Sequence, residues 1–60
     1  MNYFEVIQIA KENDWEFDRI ANTSHRIWKK NGQKVIIPCH KSQEIKYHLC
    51  KKILKKIKSV

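Results

Sequence analysis

The side chains in this chain able to move protons or hold a metal are few: His25, His40 and His48, with Cys39 and Cys50. An imidazole titrates near neutrality and serves as base, acid or both. RNA brings its own nucleophile, the ribose 2′-hydroxyl. A protein acting on it has only to deprotonate that hydroxyl, protonate the leaving oxygen and stabilise charge on phosphorus. One histidine is enough for the proton transfers. Taken alone, His25 reads as a solvated histidine at a strand end, and His40 as a structural loop histidine. Zinc binding is the other chemistry these residue types invite. The spacing Cys39-His40-x7-His48-x-Cys50 matches no standard finger, and residues two apart on a helix point about 200° apart. No metal and no cofactor is expected.

The groups around these side chains are cationic. The chain carries a net charge of +7. Residues 1–18 hold five acids (Glu5, Glu12, Asp14, Glu16, Asp18) against Lys11, whereas residues 19–60 hold twelve bases against the single acid Glu44. Such a field attracts polyanions, nucleic acid first and anionic membrane second. Sixty residues make one domain, taken here as 1–60. A chain of this length buries only roughly 60% of its unfolded surface, which leaves one thin core and no deep cleft. A substrate therefore has to be large and held on an open surface. No run approaches the ~20 apolar residues of a membrane span. The start, Met1-Asn2-Tyr3-Phe4-Glu5, lacks the basic region of a secretion signal. Free thiols in a reducing cytoplasm are expected.

The elements that must position these groups are legible in the pattern. Residues 2–13 read as a helix, with Asn2 as cap and Glu5 reaching back to it. Tyr3, Phe4, Val6, Ile7 and Ala10 recur near the helical period, and Asn13 is a candidate left-handed stop. Residues 15–20 begin with strand alternation, Trp15 and Phe17 against Glu16 and Asp18. Asn31-Gly32 is the strongest local signal, because both residues tolerate the positive φ of a two-residue type I′ turn. That turn sets Trp28 against Val35, Ile27 against Ile36, Arg26 against Ile37 and His25 against Pro38. Pro38, with no N–H to donate, suits the end of the ladder. The closing helix ends near Lys58, with Ile45, Leu49, Ile53 and Ile57 as its stripe, joined by Cys50 and Leu54. It starts between Ser42 and Tyr47. The order gives an α+β fold, α-β-β-β-α, with a three-stranded antiparallel sheet and two helices packed on one face.

The same register sorts the sheet faces. Trp28, Val35 and Ile37 belong to the core, with Arg26 snorkelling at its rim. His25, Ile27, Lys29, Lys34 and Ile36 share the open face, where Ile27 and Ile36 form an apolar pair suited to a sugar or a protein partner. Lys29 and Lys34 stand opposite each other, an arrangement that needs a compensating anion such as phosphate. His40 and Lys41 follow the hairpin's open end. Lys46, Lys51, Lys52, Lys55, Lys56 and Lys58 make the last helix cationic, which suits tracking of phosphates more than reading of bases.

Asp14-Trp15-Glu16-Phe17-Asp18-Arg19 is similar to the Gly-Trp-Glu-aliphatic-x-Arg first strand of the HicA toxins, small mRNA interferases. Asn22-Thr23-Ser24-His25 resembles their Gly-Ser-x-His turn. Pro38-Cys39-His40 matches their Pro-x-His segment. Glu44-Ile45-Lys46 and Leu49-Cys50-Lys51-Lys52-Ile53-Leu54-Lys55 look like their closing Glu-Ile/Leu-Lys and Leu-x-x-Ile-Leu-Lys. The resemblance runs from about residue 3 to 57. It implies a double-stranded-RNA-binding-domain-like (dsRBD-like) fold, ribosome-independent cleavage of mRNA, His25 as catalytic residue and inhibition by a HicB-like antitoxin in the bacterial cytoplasm. The RNA-binding residues expected are Thr23, Ser24, Lys29, Lys34, His40, Lys41, Lys51 and Lys55. Three family glycines are missing, two replaced by Asp14 and Asn22 and the third absent near Lys58, and asparagine tolerates the left-handed region such a turn glycine occupies. Thr23 keeps a hydroxyl in place of serine. The competing readings are a non-catalytic RNA-binding module of the same fold, a DNA-binding protein, and a membrane-surface peptide built on the lysine helix.

Overall fold

The computed structural model describes residues 1–22, 24–39 and 44–60. Its elements run α1 (Tyr3–Glu12), β1 (Glu16–Asn22), β2 (His25–Lys30), β3 (Gln33–Pro38) and α2 (Tyr47–Ser59). The sheet is antiparallel in the order β1-β2-β3. This is the α-β-β-β-α arrangement the sequence leads one to expect.

Helix α1 is closed at both ends by its own residues. Asn2 Oδ1 accepts the Glu5 N–H at 3.0 Å, and Glu5 Oε1 accepts the Asn2 N–H at 2.9 Å. Two orphan donors of the first turn are thereby satisfied. At the other end Trp15 N–H donates to Ala10 O at 2.9 Å and Asp14 N–H to Lys11 O at 3.1 Å. This is a Schellman motif, and its left-handed residue is Asp14, at φ 68°. The stop expected at Asn13 is thus displaced by one residue. Asn13 has φ −103° and instead donates from its side chain to Ile9 O at 2.8 Å. The glycine at position 14 of the strand pattern this chain resembles has a clear physical reason. Asp14→Gly relieves the left-handed strain and removes a negative charge from the negative end of the helix. We expect it to stabilise the fold by about 1 kcal/mol, raising the midpoint of thermal unfolding by roughly 4–8 °C. A thermal melt followed by circular dichroism checks this, and an unchanged or lower midpoint refutes it.

Asn31 and Gly32 both have positive φ, 49° and 79°, as a type I′ turn requires. The β2–β3 register follows from the turn: His25 faces Pro38, Arg26 faces Ile37, Ile27 faces Ile36, Trp28 faces Val35 and Lys29 faces Lys34. Strand β1 is less regular and longer than expected. Its pairing with β2 shifts between Phe17 and Arg19 and again between Ile20 and Asn22. Each shift inserts a residue and turns the strand's faces over.

Both helices cover the face that carries Trp28, Val35 and Ile37. The core joins these to Tyr3, Val6 and Ala10 of α1, to Trp15 and Ile45, and to Cys50, Ile53 and Ile57 of α2. The buried indoles are satisfied, Trp15 Nε1–H by Ile57 O at 3.0 Å and Trp28 Nε1–H by the Tyr3 hydroxyl at 3.3 Å. Two apolar residues assigned to helix stripes lie outside the core. Leu49 is 41% exposed and Phe4 64%. At about 100° per residue, Leu49 sits well to one side of the stripe centred on Cys50, Ile53 and Ile57. Helix α2 begins at Tyr47, the late end of the expected range. Ile45 is buried ahead of it, and its N–H donates to Met1 O at 2.8 Å. Ser42 lies outside the described residues. Among the described residues, no helix is long and apolar enough to cross a membrane.

Candidate functional site

His25 opens β2 at the end of the hairpin opposite the Asn31-Gly32 turn. Strand alternation places it with Ile27 and Lys29 on the face the helices leave uncovered. Its position is held on both flanks. On the β3 side it pairs with Pro38, and Cys39 N–H donates to Ser24 O at 2.7 Å. On the β1 side it pairs with Asn22. Regular pairing after Ile20 and Arg26 would set Ala21 opposite His25, so the second bulge is what brings Asn22 there. Asn22 Oδ1 lies 2.8 Å from His25 Nδ1 and also accepts the Ser24 N–H at 3.0 Å. The Arg26 guanidinium, half-buried on the core face, reaches round to donate to Asn22 O at 3.3 Å, in keeping with the rim position expected of it.

The role expected of Asn22 is corrected by this geometry. It does not stand in for glycine by adopting positive φ; among the described non-glycine residues only Asp14 and Asn31 do so. Asn22 is the last residue of an extended strand, and its side chain makes the turn's contacts. An Asx oxygen accepting the N–H two residues on is a local alternative to a tight backbone turn.

The rest of the open face is cationic but not unpaired. Lys29 and Lys34 are cross-strand neighbours, as the register requires. The anion at Lys34 comes from the protein: its Nζ is 3.7 Å from Asp18 Oδ2, and Arg19 Nη1 is 3.2 Å from the same oxygen. Asp18 shares this face with Glu16, which stands opposite Lys29, by strand alternation; the first bulge falls at Asp18 and turns Arg19 onto the same face. The expected need for a bound phosphate at the lysine pair is therefore met in part by Asp18. Arg19, facing Ile27, is a cation on this surface that the sequence reading left out. A bulge has no dependable sequence signature, so nothing in the pattern could have brought it there.

Ile27 and Ile36 pair as expected, but unequally. Ile36 is 54% exposed, while Ile27 is only 8% exposed although it stands outside the helix-covered core. Its neighbours on this face, Arg19 and Ile36, flank it. The exposed apolar surface here is that of Ile36.

Lys51 and Lys55 are exposed on α2, on the opposite side of the sheet from His25. With His48, Lys52, Leu54 and Lys58 they line an open concavity of about 640 Å³, and Lys51 Nζ lies 5.5 Å from the centre of the Tyr47 ring. The fold thus separates the described residues among the expected RNA contacts into those on the His25 side of the sheet and those on the helical layer. Ser24 is half-buried in the turn before His25. Thr23, His40 and Lys41 lie outside the described residues. Cys39 and Cys50 are free thiols.

No curated protein and no solved structure matches the chain. A family model does, described as the HicA toxin of bacterial toxin–antitoxin systems, over residues 4–58. The match takes in both helices, all three strands and the His25 turn, so the chain belongs to the HicA toxin family of bacterial toxin–antitoxin systems.

Proposed function

We propose that this toxin is a metal-independent endoribonuclease that cleaves mRNA with His25 as its general acid–base, and that a HicB-like antitoxin inhibits it in the bacterial cytoplasm. The observation that carries the reading is the placement of His25: an imidazole held on both flanks at the edge of an uncovered cationic sheet face. In the cleavage step His25 takes the proton of the ribose 2′-hydroxyl. The 2′-oxygen bonds to phosphorus, the bond from phosphorus to the 5′-oxygen breaks, and the imidazolium returns a proton to that leaving oxygen. Arg19, across from Ile27, is the cation of this face nearest to His25, and Lys29 and Lys34, about 13 Å along the strand, hold neighbouring phosphates of the RNA backbone. Ser24, with Thr23, His40 and Lys41 outside the described residues, completes the contacts expected near His25. Lys51 and Lys55 on α2 add a second, sequence-independent hold on a long polyanion.

The test is cleavage of one structured and one single-stranded RNA by the purified protein, with and without EDTA, and of the same strands with the attacked ribose 2′-deoxy. Cleavage that survives EDTA and stops at the deoxy position supports the reading. Loss of activity with EDTA, or cutting at the deoxy position, refutes the mechanism. RNA binding without any cleavage favours the alternative, a non-catalytic RNA-binding module of the same fold. Binding itself should be salt-dependent. If about four phosphates of single-stranded RNA are neutralised, affinity falls roughly 50-fold between 50 and 200 mM salt, and Lys29→Ala lowers the logarithmic slope by about 0.7. Filter binding across a salt series measures both. An unchanged slope removes Lys29 from the RNA surface.

A further inference from the structure

Two polar contacts converge on one atom beside His25. Asn22 Oδ1 lies 3.0 Å from Ser24 N and 2.8 Å from His25 Nδ1. A backbone N–H can only donate, so the amide atom facing Ser24 is the oxygen and the nitrogen cannot take its place. The same oxygen faces Nδ1. An oxygen that only accepts requires Nδ1 to carry a hydrogen. A neutral imidazole carries just one, so Nε2 keeps its lone pair. Free imidazole side chains in water favour the reverse tautomer, with the hydrogen on Nε2.

We propose that Asn22 is a positioning residue that holds neutral His25 as the Nδ1–H tautomer, leaving Nε2 as the atom that accepts the substrate's proton. The inference rests on the reading of His25 as the general base and says which nitrogen acts and what selects it. The fold supplies the means. The bulge between Ile20 and Asn22 sets residue 22, rather than Ala21, in register with His25. The Arg26 guanidinium holds the Asn22 carbonyl, and the Ser24 N–H holds the Asn22 side chain, so the oxygen is fixed before it meets the ring. A glycine at this position has no side chain to do this.

The experiment reads the ring directly. Nitrogen-15 NMR of the His25 imidazole in the intact protein, at a pH where the ring is neutral, is compared for wild type, Asn22→Ala and Asn22→Asp. Wild type should show Nδ1–H as the main tautomer. Asn22→Ala should revert to Nε2–H, with kcat for RNA cleavage down at least roughly tenfold and KM within about twofold, because the wrong tautomer presents a hydrogen where a lone pair is needed. Asn22→Asp keeps an oxygen acceptor for both the ring and Ser24, and should keep Nδ1–H. A wild-type ring with the hydrogen on Nε2 overturns the proposal, and so does an Asn22→Ala variant that retains either the Nδ1–H tautomer or the wild-type kcat. The tautomer is measured without RNA. A protein that never cleaves therefore refutes the ribonuclease reading, while the NMR spectrum still decides the role of Asn22.

Discussion

Replacing His25 with alanine is expected to lower RNA cleavage by roughly 10²- to 10⁴-fold, the range for removing a general acid–base, while leaving RNA affinity within about twofold. The two effects separate because, in the proposed mechanism, His25 contributes a proton acceptor rather than a fixed charge and affinity comes from the lysines and Arg19. The fold should tolerate the change. His25 pairs with Pro38 and Asn22 through the backbone at the end of its strand and takes no part in the core cluster. His25→Gln, which retains polarity without a titratable ring, should be as inactive as His25→Ala. Initial rates on a defined RNA, beside binding under the same conditions, give the result. An alanine variant that cleaves within about threefold of wild type would remove His25 from the chemistry and assign the cleavage to another group.

Trp28→Ala is expected to unfold most of the molecule. Trp28 is 4% exposed at the centre of the middle strand. The Phe17 ring meets it edge-on at 5.8 Å, Lys11 Nζ lies 6.0 Å from its centre, and its indole N–H donates to the Tyr3 hydroxyl. One side chain thereby joins β1, β2 and α1. Truncating a buried tryptophan to alanine costs about 3–5 kcal/mol. A domain of this length has only roughly 3–9 kcal/mol in total. Trp28→Phe keeps the ring packing and loses the indole donor, and should cost about 1–2 kcal/mol. Urea unfolding followed by circular dichroism ranks the three proteins. An alanine variant within about 1 kcal/mol of wild type would mean that the core is centred elsewhere.

Much of this architecture was legible in the amino-acid sequence because it rests on local rules. The capping box of α1 needs only Asn2 and Glu5 three residues apart. The Asn31-Gly32 turn sets the whole β2–β3 register, and a period of two then assigns Trp28, Val35 and Ile37 to one face and His25, Lys29 and Lys34 to the other. The lysine helix shows its buried stripe in the recurrence of Cys50, Ile53 and Ile57, though not how wide that stripe is. Leu49 was assigned to it and lies at its exposed edge. Asn13 and Asp14 are not separable in the pattern for a similar reason, since either can occupy the left-handed position and only the completed Schellman bonds distinguish them.

What the sequence determined by itself was the order of elements, the hairpin register and the family, with His25 as the residue proposed for the chemistry. Each depends on neighbours along the chain or on a linear pattern. What only the tertiary structure decided was the setting of that residue. Two bulges in β1 carry Arg19 onto the open face and set Asn22 opposite His25. They place a guanidinium beside Ile27 and an amide oxygen at the His25 ring. A strand's inserted residues are chosen by how it twists against its partner and by which side chains find contacts across the sheet. That balance is struck between segments, and no spacing along one segment records it.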